Sequence, residues 1–164
     1  MSTADSGIVI RQTVRDDVGP ILAITKNVGV FSEVEVATVD ELLDEYFTRG
    51  PVVSGYYFLS CLSDGRVVGY SCHGPRALTD GTYDLYWIAT DASEKRRGIG
   101  STLLARVSYD IRVAGGRLII AETSSRREYE ATRRFYEKNG YRLEAVIKDF
   151  YAAGDDIDMY VARI

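Results

Sequence analysis

Apolar positions along the chain recur with two periods, one close to two residues and one close to 3.6, and these mark strands and helices. Ile8-Val9-Ile10-Arg11 reads as a short first strand. Asp16-Asp17 precede Val18, Ile21, Leu22 and Ile24, which predict a helix whose acidic start suits its dipole. Gly29-Val30-Phe31-Ser32 interrupts the pattern, and a second helix is expected over about 34–48 with Val39, Leu42, Leu43, Tyr46 and Phe47 as its apolar stripe. Gly50-Pro51 is expected to end it. Two strands, 56–62 and 67–72, flank Asp64-Gly65 as a hairpin turn, and Leu78-Thr79-Asp80-Gly81 turns the chain into a strand over 83–90. A helix from Gly98 to Val113 stops at Gly115-Gly116. The apolar run Arg117–Glu122 predicts a central strand buried on both faces. A helix over 126–139 and strands over 141–151 and 157–162 complete the chain, the strands split by Ala153-Gly154-Asp155-Asp156. The order is β-α-α-β-β-β-α-β-α-β-β, with no repeat, linker or low-complexity segment, so residues 1–164 are expected to form a single domain.

The densest chemistry lies between Tyr83 and Leu104. An aromatic strand runs through a polar loop into Lys95-Arg96-Arg97-Gly98-Ile99-Gly100, and then into a helix whose Ile99, Leu103, Val107 and Ile111 share one face. The first N–H groups of a helix lack intrahelical acceptors, its dipole adds positive charge, and glycine lets a phosphate approach the backbone. A strand, a basic glycine turn and a helix start therefore predict an anion site. Two common phosphate loops do not fit. The chain has no Gly-Lys-Ser/Thr after four spacers, and Leu103 stands where GxGxxG needs its last glycine. Standing alone, the basic triplet is equally a solvated charge run.

The stretch does resemble the pyrophosphate loop of the GCN5-related N-acetyltransferases (GNAT), Gln/Arg-x-x-Gly-x-Gly/Ala, with Lys95, Gly98 and Gly100 at its marked positions. A second motif, Thr132-Arg133-Arg134-Phe135-Tyr136-Glu137-Lys138-Asn139-Gly140-Tyr141, resembles that family's Ala-x-x-Phe-Tyr-x-x-x-Gly-Phe/Tyr. The element order matches over roughly residues 8–163. The resemblance implies an α/β (α+β) fold: a central mixed, mostly antiparallel sheet of about seven strands, splayed after the fourth and flanked by about four helices. It implies acetyl-CoA as cosubstrate, with Ile88, Ala89 and Thr90 bonding the pantetheine through their backbones. Lys95, Arg96, Arg97, Gly98, Ile99, Gly100 and Ser101 would wrap the pyrophosphate, and Thr132 and Phe135 would lie on the cofactor side. Tyr136 would protonate the departing thiolate, which suits a phenol with a pKa near ~10. The sequence departs from the family pattern at Lys95, at Ala92 where Pro is frequent, at Tyr129 where Asn is frequent, and at Thr132 in place of Ala.

Acetyl transfer also needs a neutral amine, hence a base or a water chain. Glu122, at the end of the fifth strand, is the candidate base, with Asp84 as the alternative; Asp149 and Tyr151 are candidates to line the acceptor pocket. The implied function is an N-acetyltransferase in which a primary amine attacks directly within a ternary complex. The acceptor is a small amine or amino acid, or a protein N-terminus or lysine. A non-catalytic acyl-CoA sensor or interaction module is the alternative.

Composition narrows the field further. A chain of 164 residues, 46% hydrophobic and 27% charged, is an ordinary globular protein, and its net charge of −4 argues against general nucleic-acid binding. Binding through the arginine-rich helix at 126–138 stays open as a separate reading. No apolar run reaches membrane-spanning length and the first residues lack the pattern of a signal peptide, so a cytoplasmic location is expected. One histidine and two distant cysteines cannot make an ordinary zinc site, so no metal is expected. Both cysteines are read as reduced, buried or half-buried small hydrophobes. GxSxG is absent, which removes that acyl-enzyme reading. Monomer and homodimer are both compatible with the sequence.

Overall fold

The computed structural model describes residues 7–94 and 97–164. Its strands and helices follow the expected order, and the strands hydrogen-bond in the sequence β1-β2-β3-β4-β5-β7-β6. The chain forms two compact units, Met1–Cys72 with Trp87–Arg106, and His73–Tyr86 with Val107–Ile164.

In the first unit, β1 (Ile8–Gln12) pairs antiparallel with β2 (Tyr57–Ser63), Ile8 opposite Ser63 and Gln12 opposite Leu59. Asp64 and Gly65, both at positive φ (51° and 78°), turn the chain into β3 (Arg66–Pro75), as a two-residue hairpin loop requires. Helix α1 (Val18–Asn27) and helix α2 (Glu33–Ser54) supply Ile21, Ile24, Val39, Leu43 and Tyr46 to a core shared with Phe58, Tyr70 and Cys72. Cys61 and Cys72 are free and buried. Helix α2 starts on a capping box in which Ser32 and Glu35 bond each other's backbone N–H. It does not end at Gly50-Pro51: Gly50 (φ 75°, ψ 160°) kinks it, and Pro51–Ser54 adds a further turn up to Gly55. Proline fits there because the first position after a break needs no N–H. Ahead of α1, the buried carboxylate of Asp17 (3% exposed) accepts two bonds from Arg11 at 2.6 and 3.0 Å, and others from Val14 N and Ser60 Oγ. That clamp ties the loop before α1 to both β1 and β2.

In the second unit, β4 (Thr82–Thr90) begins parallel to β5 (Leu118–Ser124), with pairs running from Thr82–Leu118 to Leu85–Ala121. β5 also pairs antiparallel with β7 (Asp155–Arg163), and β6 (Arg142–Ala152) pairs with the far side of β7. Helix α3 (Ile99–Val113), which begins in the first unit, ends here, and helix α4 (Glu130–Lys138) follows a 3-10 turn at Arg127–Tyr129. The helix predicted from residue 126 therefore becomes regular only at Glu130. The expectation that β5 is buried on both faces is corrected. Ile119, Ala121 and Thr123 are buried, whereas Ile120 is half-buried and Glu122 exposed. A run of apolar residues cannot report which face a helix covers. Gly116 marks the covered side: a Cβ there would lie 2.2 Å from Ile111 Cγ2 and 3.0 Å from Tyr83. On the same side, Tyr136 of α4 stacks near Tyr160 of β7, with ring centroids 5.9 Å apart.

Every residue of β6 is exposed, including Leu143, Val146, Ile147, Phe150 and Tyr151, and its pairing with β7 shifts register at two places. Asp149 takes a positive φ of 54°. Its carboxylate accepts from Gly154 N at the turn, so the turn is at Ala153-Gly154 and Asp155 already belongs to β7.

Candidate active site

The first unit carries the loop between β4 and α3. Asp91 N donates to Val68 O at 2.8 Å, and Asp91 Oδ1 accepts from Ser93 N and Oγ, which starts a 3-10 turn at Ala92–Glu94. These bonds and Arg66 hold the Asp91 carboxyl below its ordinary range. Arg66 bridges Asp91 (2.8 Å) and Glu94 (2.5 Å), and Glu94 also takes Arg97, whose guanidinium bonds Ser63 Oγ at 3.2 Å. The loop is thus held by charge-assisted bonds at both ends. The Arg97 side chain, expected to wrap an anion, is engaged with Glu94 and Ser63. Lys95 and Arg96 lie outside the described residues.

Gly98 follows at φ 71°, a left-handed conformation that favours glycine, and among the described residues beyond its two chain neighbours no atom lies within 4 Å of where its Cβ would be. Helix α3 begins at the next residue, so the donor-rich N–H groups of Ile99, Gly100 and Ser101 start directly beside that open space. Thr102 closes the first turn with its N–H and Oγ1 on Gly98 O. Beneath the helix start lies Gly69 of β3. A Cβ there would meet Leu103 Cδ1 at 3.1 Å and Ala89 O and Ile99 Cγ2 at 3.2 Å. The absence of a side chain at 69 is what lets α3 sit this close to β3 and β4. Ala89 and Ile99 are buried; Ile88, Thr90, Gly100 and Ser101 are partly exposed. This open, donor-bearing helix start is chemically suited to a pyrophosphate.

The second unit carries the candidate acid and base. Tyr136 is 6% exposed and packed among Phe135, Tyr141 and Tyr160, with centroids 5.5, 5.4 and 5.9 Å away. Burial pushes its phenol well above the ordinary value, so it stays protonated. Tyr160 donates to Glu137 Oε1 at 3.1 Å, and burial raises its own phenol to about 12. Thr132 and Phe135 are half-buried on the same helix. Arg133 donates to Ser124 O at 2.8 Å and Arg126 O at 2.9 Å, fixing α4 to the end of β5. Tyr129 is buried under Arg126, whose guanidinium lies 5.8 Å from the ring centroid.

Glu122 lies one residue past the last β4–β5 pair and, by alternation from Ile120, on the same face as Asp84. One guanidinium joins the two. Arg76 donates from Nε to both Asp84 oxygens at 3.0 Å, from Nη2 to Asp84 Oδ1 at 2.7 Å, and from Nη2 to Glu122 Oε1 at 3.2 Å. Sequence reasoning missed Arg76. It lies in a turn outside any predicted strand, and only its place just before the Leu78–Gly81 turn hinted that it faces back toward β4. The candidate pocket residues Asp149 and Tyr151 lie on β6, where Tyr151 packs edge-on to Phe150 at 5.0 Å. Among the described residues, no cluster of three or more metal-ligating side chains forms, and no helix is long and apolar enough to cross a membrane.

The chain is similar to known acetyltransferases in sequence and in fold. The family model described as "Acetyltransferase (GNAT) domain" matches residues 54–143. A structure from Desulfovibrio desulfuricans, assigned to the GNAT family of acetyltransferases, is 41% identical with a TM-score of 0.92, covering 95% of this chain and 98% of that one. The ribosomal-protein-alanine N-acetyltransferase of Brucella melitensis is similar in fold at 20% identity and TM-score 0.74, covering 95% and 99% of the two chains. YncA of Salmonella typhimurium, solved with acetyl-CoA, is similar in fold at 20% identity and TM-score 0.76, covering 96% and 94%. No protein of curated function matches the sequence. With a domain match over more than half its length and a relative of this identity along nearly all of it, the chain belongs to the GNAT family of acetyltransferases.

Proposed function

We propose that this acetyltransferase moves an acetyl group from acetyl-CoA to a primary amine by direct attack within a ternary complex. The amine nitrogen bonds to the thioester carbonyl carbon, the C–S bond breaks, and the thiolate leaves as coenzyme A. One proton must leave the attacking nitrogen and one must be offered to the departing sulfur. The acceptor is a small amine or amino acid, or a protein N-terminus or lysine.

The observation that carries this reading is the left-handed Gly98, with no non-neighbouring described residue within 4 Å of its Cβ position, set directly before α3. It suits the pyrophosphate of acetyl-CoA, with the backbone of 98–101 as donors and that of 88–90 assigned to the pantetheine. Tyr136 supports the acid role because burial keeps it protonated. A thiolate, whose conjugate acid titrates near ~8.5, is a weaker base than a phenolate of raised pKa, so complete proton transfer from Tyr136 is uphill. Its part is to donate a hydrogen bond to the sulfur as charge develops there. Glu122 is assigned as the base, being an exposed carboxylate on β5.

One feature favours the sensor reading: both candidate base carboxylates are ion-paired to Arg76. Turnover separates the two. Thiol release from acetyl-CoA is measured against amino acids, polyamines, aminoglycosides and peptides with free N-termini or lysines, with calorimetric acetyl-CoA binding alongside. Solved structures of similar fold are named for ribosomal-protein alanine and for aminoglycosides, so both classes belong in the panel. Acceptor-dependent release is expected, and Tyr136→Phe is expected to lower kcat ~10–100-fold with acetyl-CoA binding unchanged. Binding without release by any acceptor supports the sensor, and unchanged kcat in Tyr136→Phe removes the acid assignment.

A further inference from the structure

Arg76 is built into the second unit more firmly than a surface arginine needs. Its backbone N–H donates to Thr82 O at 2.9 Å and its carbonyl accepts from Thr79 Oγ1 at 2.8 Å. Leu78, between them, takes a left-handed φ of 62°, so the turn has one shape. The guanidinium is then gripped by Asp84, a carboxylate only 7% exposed, through three contacts of 2.7–3.0 Å. Its fourth contact, at 3.2 Å, is to one oxygen of Glu122, whose side chain is 39% exposed.

We propose that Arg76 is a positioning residue for acetyl transfer: anchored on buried Asp84, it holds Oε1 of Glu122 and leaves Oε2 directed to the acceptor amine. This inference rests on Glu122 being the base. The two halves of the network have different work. Asp84 is buried while Arg76 is partly exposed, and removing the guanidinium would leave a buried carboxylate without its three contacts, so the Arg76–Asp84 half is structural. The Arg76–Glu122 half is long and solvent-exposed, a class of contact that adds little to stability. Its value is in the orientation of a carboxylate, where small displacements carry large penalties in rate.

Strand alternation places the other groups of this face. Tyr86 lies beyond Asp84 on β4, Met159 of β7 is opposite Glu122, and Arg142 of β6 is opposite Val161. On this face the guanidinium of Arg76 bonds the Glu122 carboxylate. Lysine at 76 would keep a charge for Asp84 but lose the planar fork that spans two carboxylates.

A double-mutant cycle tests the inference, using thiol release with acetyl-CoA and the fastest amine of the panel. Arg76→Lys is expected to lower kcat ~10-fold, with KM for acetyl-CoA unchanged, and Glu122→Gln ~100-fold. The double variant is expected to match Glu122→Gln alone, because Arg76 acts through that carboxylate. Losses that multiply, or an unchanged kcat in Arg76→Lys, overturn the proposal. An unchanged kcat in Glu122→Gln instead overturns the base assignment, and the inference with it. Melting temperature and acetyl-CoA binding report folding. If Arg76→Lys does not fold, the paired replacement Arg76→Gln with Asp84→Asn removes both charges together and enters the same cycle.

Discussion

Adding one methyl group at Gly69 should weaken both the fold and the hold on acetyl-CoA. A Cβ at this position meets Leu103 Cδ1 at 3.1 Å, Ala89 O at 3.2 Å and Ile99 Cγ2 at 3.2 Å. Ordinary contact begins a few tenths of an ångström further out, so three neighbours must move at once. Leu103 and Ile99 are fully buried on α3, and the third atom is backbone of β4, so none has an easy escape. Overpacking of this kind costs about 1–3 kcal/mol. Alanine also stiffens the unfolded chain, which returns about 0.4–1 kcal/mol where φ is allowed. The net loss is at most about 2.6 kcal/mol and centres on ~1.3 kcal/mol, roughly 3–5 °C in melting temperature for a chain of this size. Because the displaced atoms belong to Ala89 and Ile99, calorimetric acetyl-CoA affinity should fall several-fold as well. Gly19→Ala is the control without overpacking. That glycine is in the first turn of α1 before Pro20, with no non-neighbouring described residue within 4 Å of its Cβ position, and its replacement should change stability by no more than about 0.5 kcal/mol. A Gly69→Ala protein that melts at or above the wild-type temperature would refute the packing argument.

Two further outcomes follow from buried charge. The single histidine, His73, is 4% exposed, and burial lowers it to about 4 from 6.5 against the pull of Asp110. Between those values the unfolded chain binds a proton that the folded one refuses, so stability rises with pH across that window, by up to about 3 kcal/mol. His73→Gln should flatten melting temperature between pH 4 and 6.5 relative to wild type; an unchanged slope would assign it to other groups. Asp17→Asn should lower stability at pH 7 by about 2–4 kcal/mol in a urea titration, through loss of the paired Arg11 contacts. Burial pushes the Asp17 carboxyl up, but Arg11 and the bonds from Val14 and Ser60 together outweigh it and hold the group below its ordinary range. The wild-type advantage over Asp17→Asn should therefore be present above the unfolded carboxyl pKa and fade as pH falls below it.

Most elements were legible because their signals are local. Asp64-Gly65 turns the hairpin, Gly115 and Gly140 sit past helix ends, and the four-residue spacing from Ile99 to Ile111 draws α3. The loop and helix motifs identified the family for the same reason, since each is contiguous. What the sequence did not show depends on distance. Glu122 and Asp84 were both picked as candidates, but nothing local shows that a single arginine, eight residues before one and 46 before the other, joins them. The run Leu118-Ile119-Ile120-Ala121 looks the same whether helices cover one face or two, and only tertiary packing decided that Ile120 stays half-open. At Gly50 the local rule was right about a break but silent on whether the helix resumes, because that depends on the φ of the next residue, which Pro51 already supplies.

The ragged outer strand β6 has a consequence for behaviour at high concentration. It is the last strand in the sheet order and displays five large apolar side chains, a combination that ordinarily templates growth of sheet on sheet. Its two register shifts and the left-handed Asp149 break the free edge into short, differently oriented pieces, and Lys148 stands between them. Another chain therefore finds no long, flat edge to extend. The barrier to strand addition at this edge is thus set by backbone irregularity at a few positions, rather than by the modest net charge.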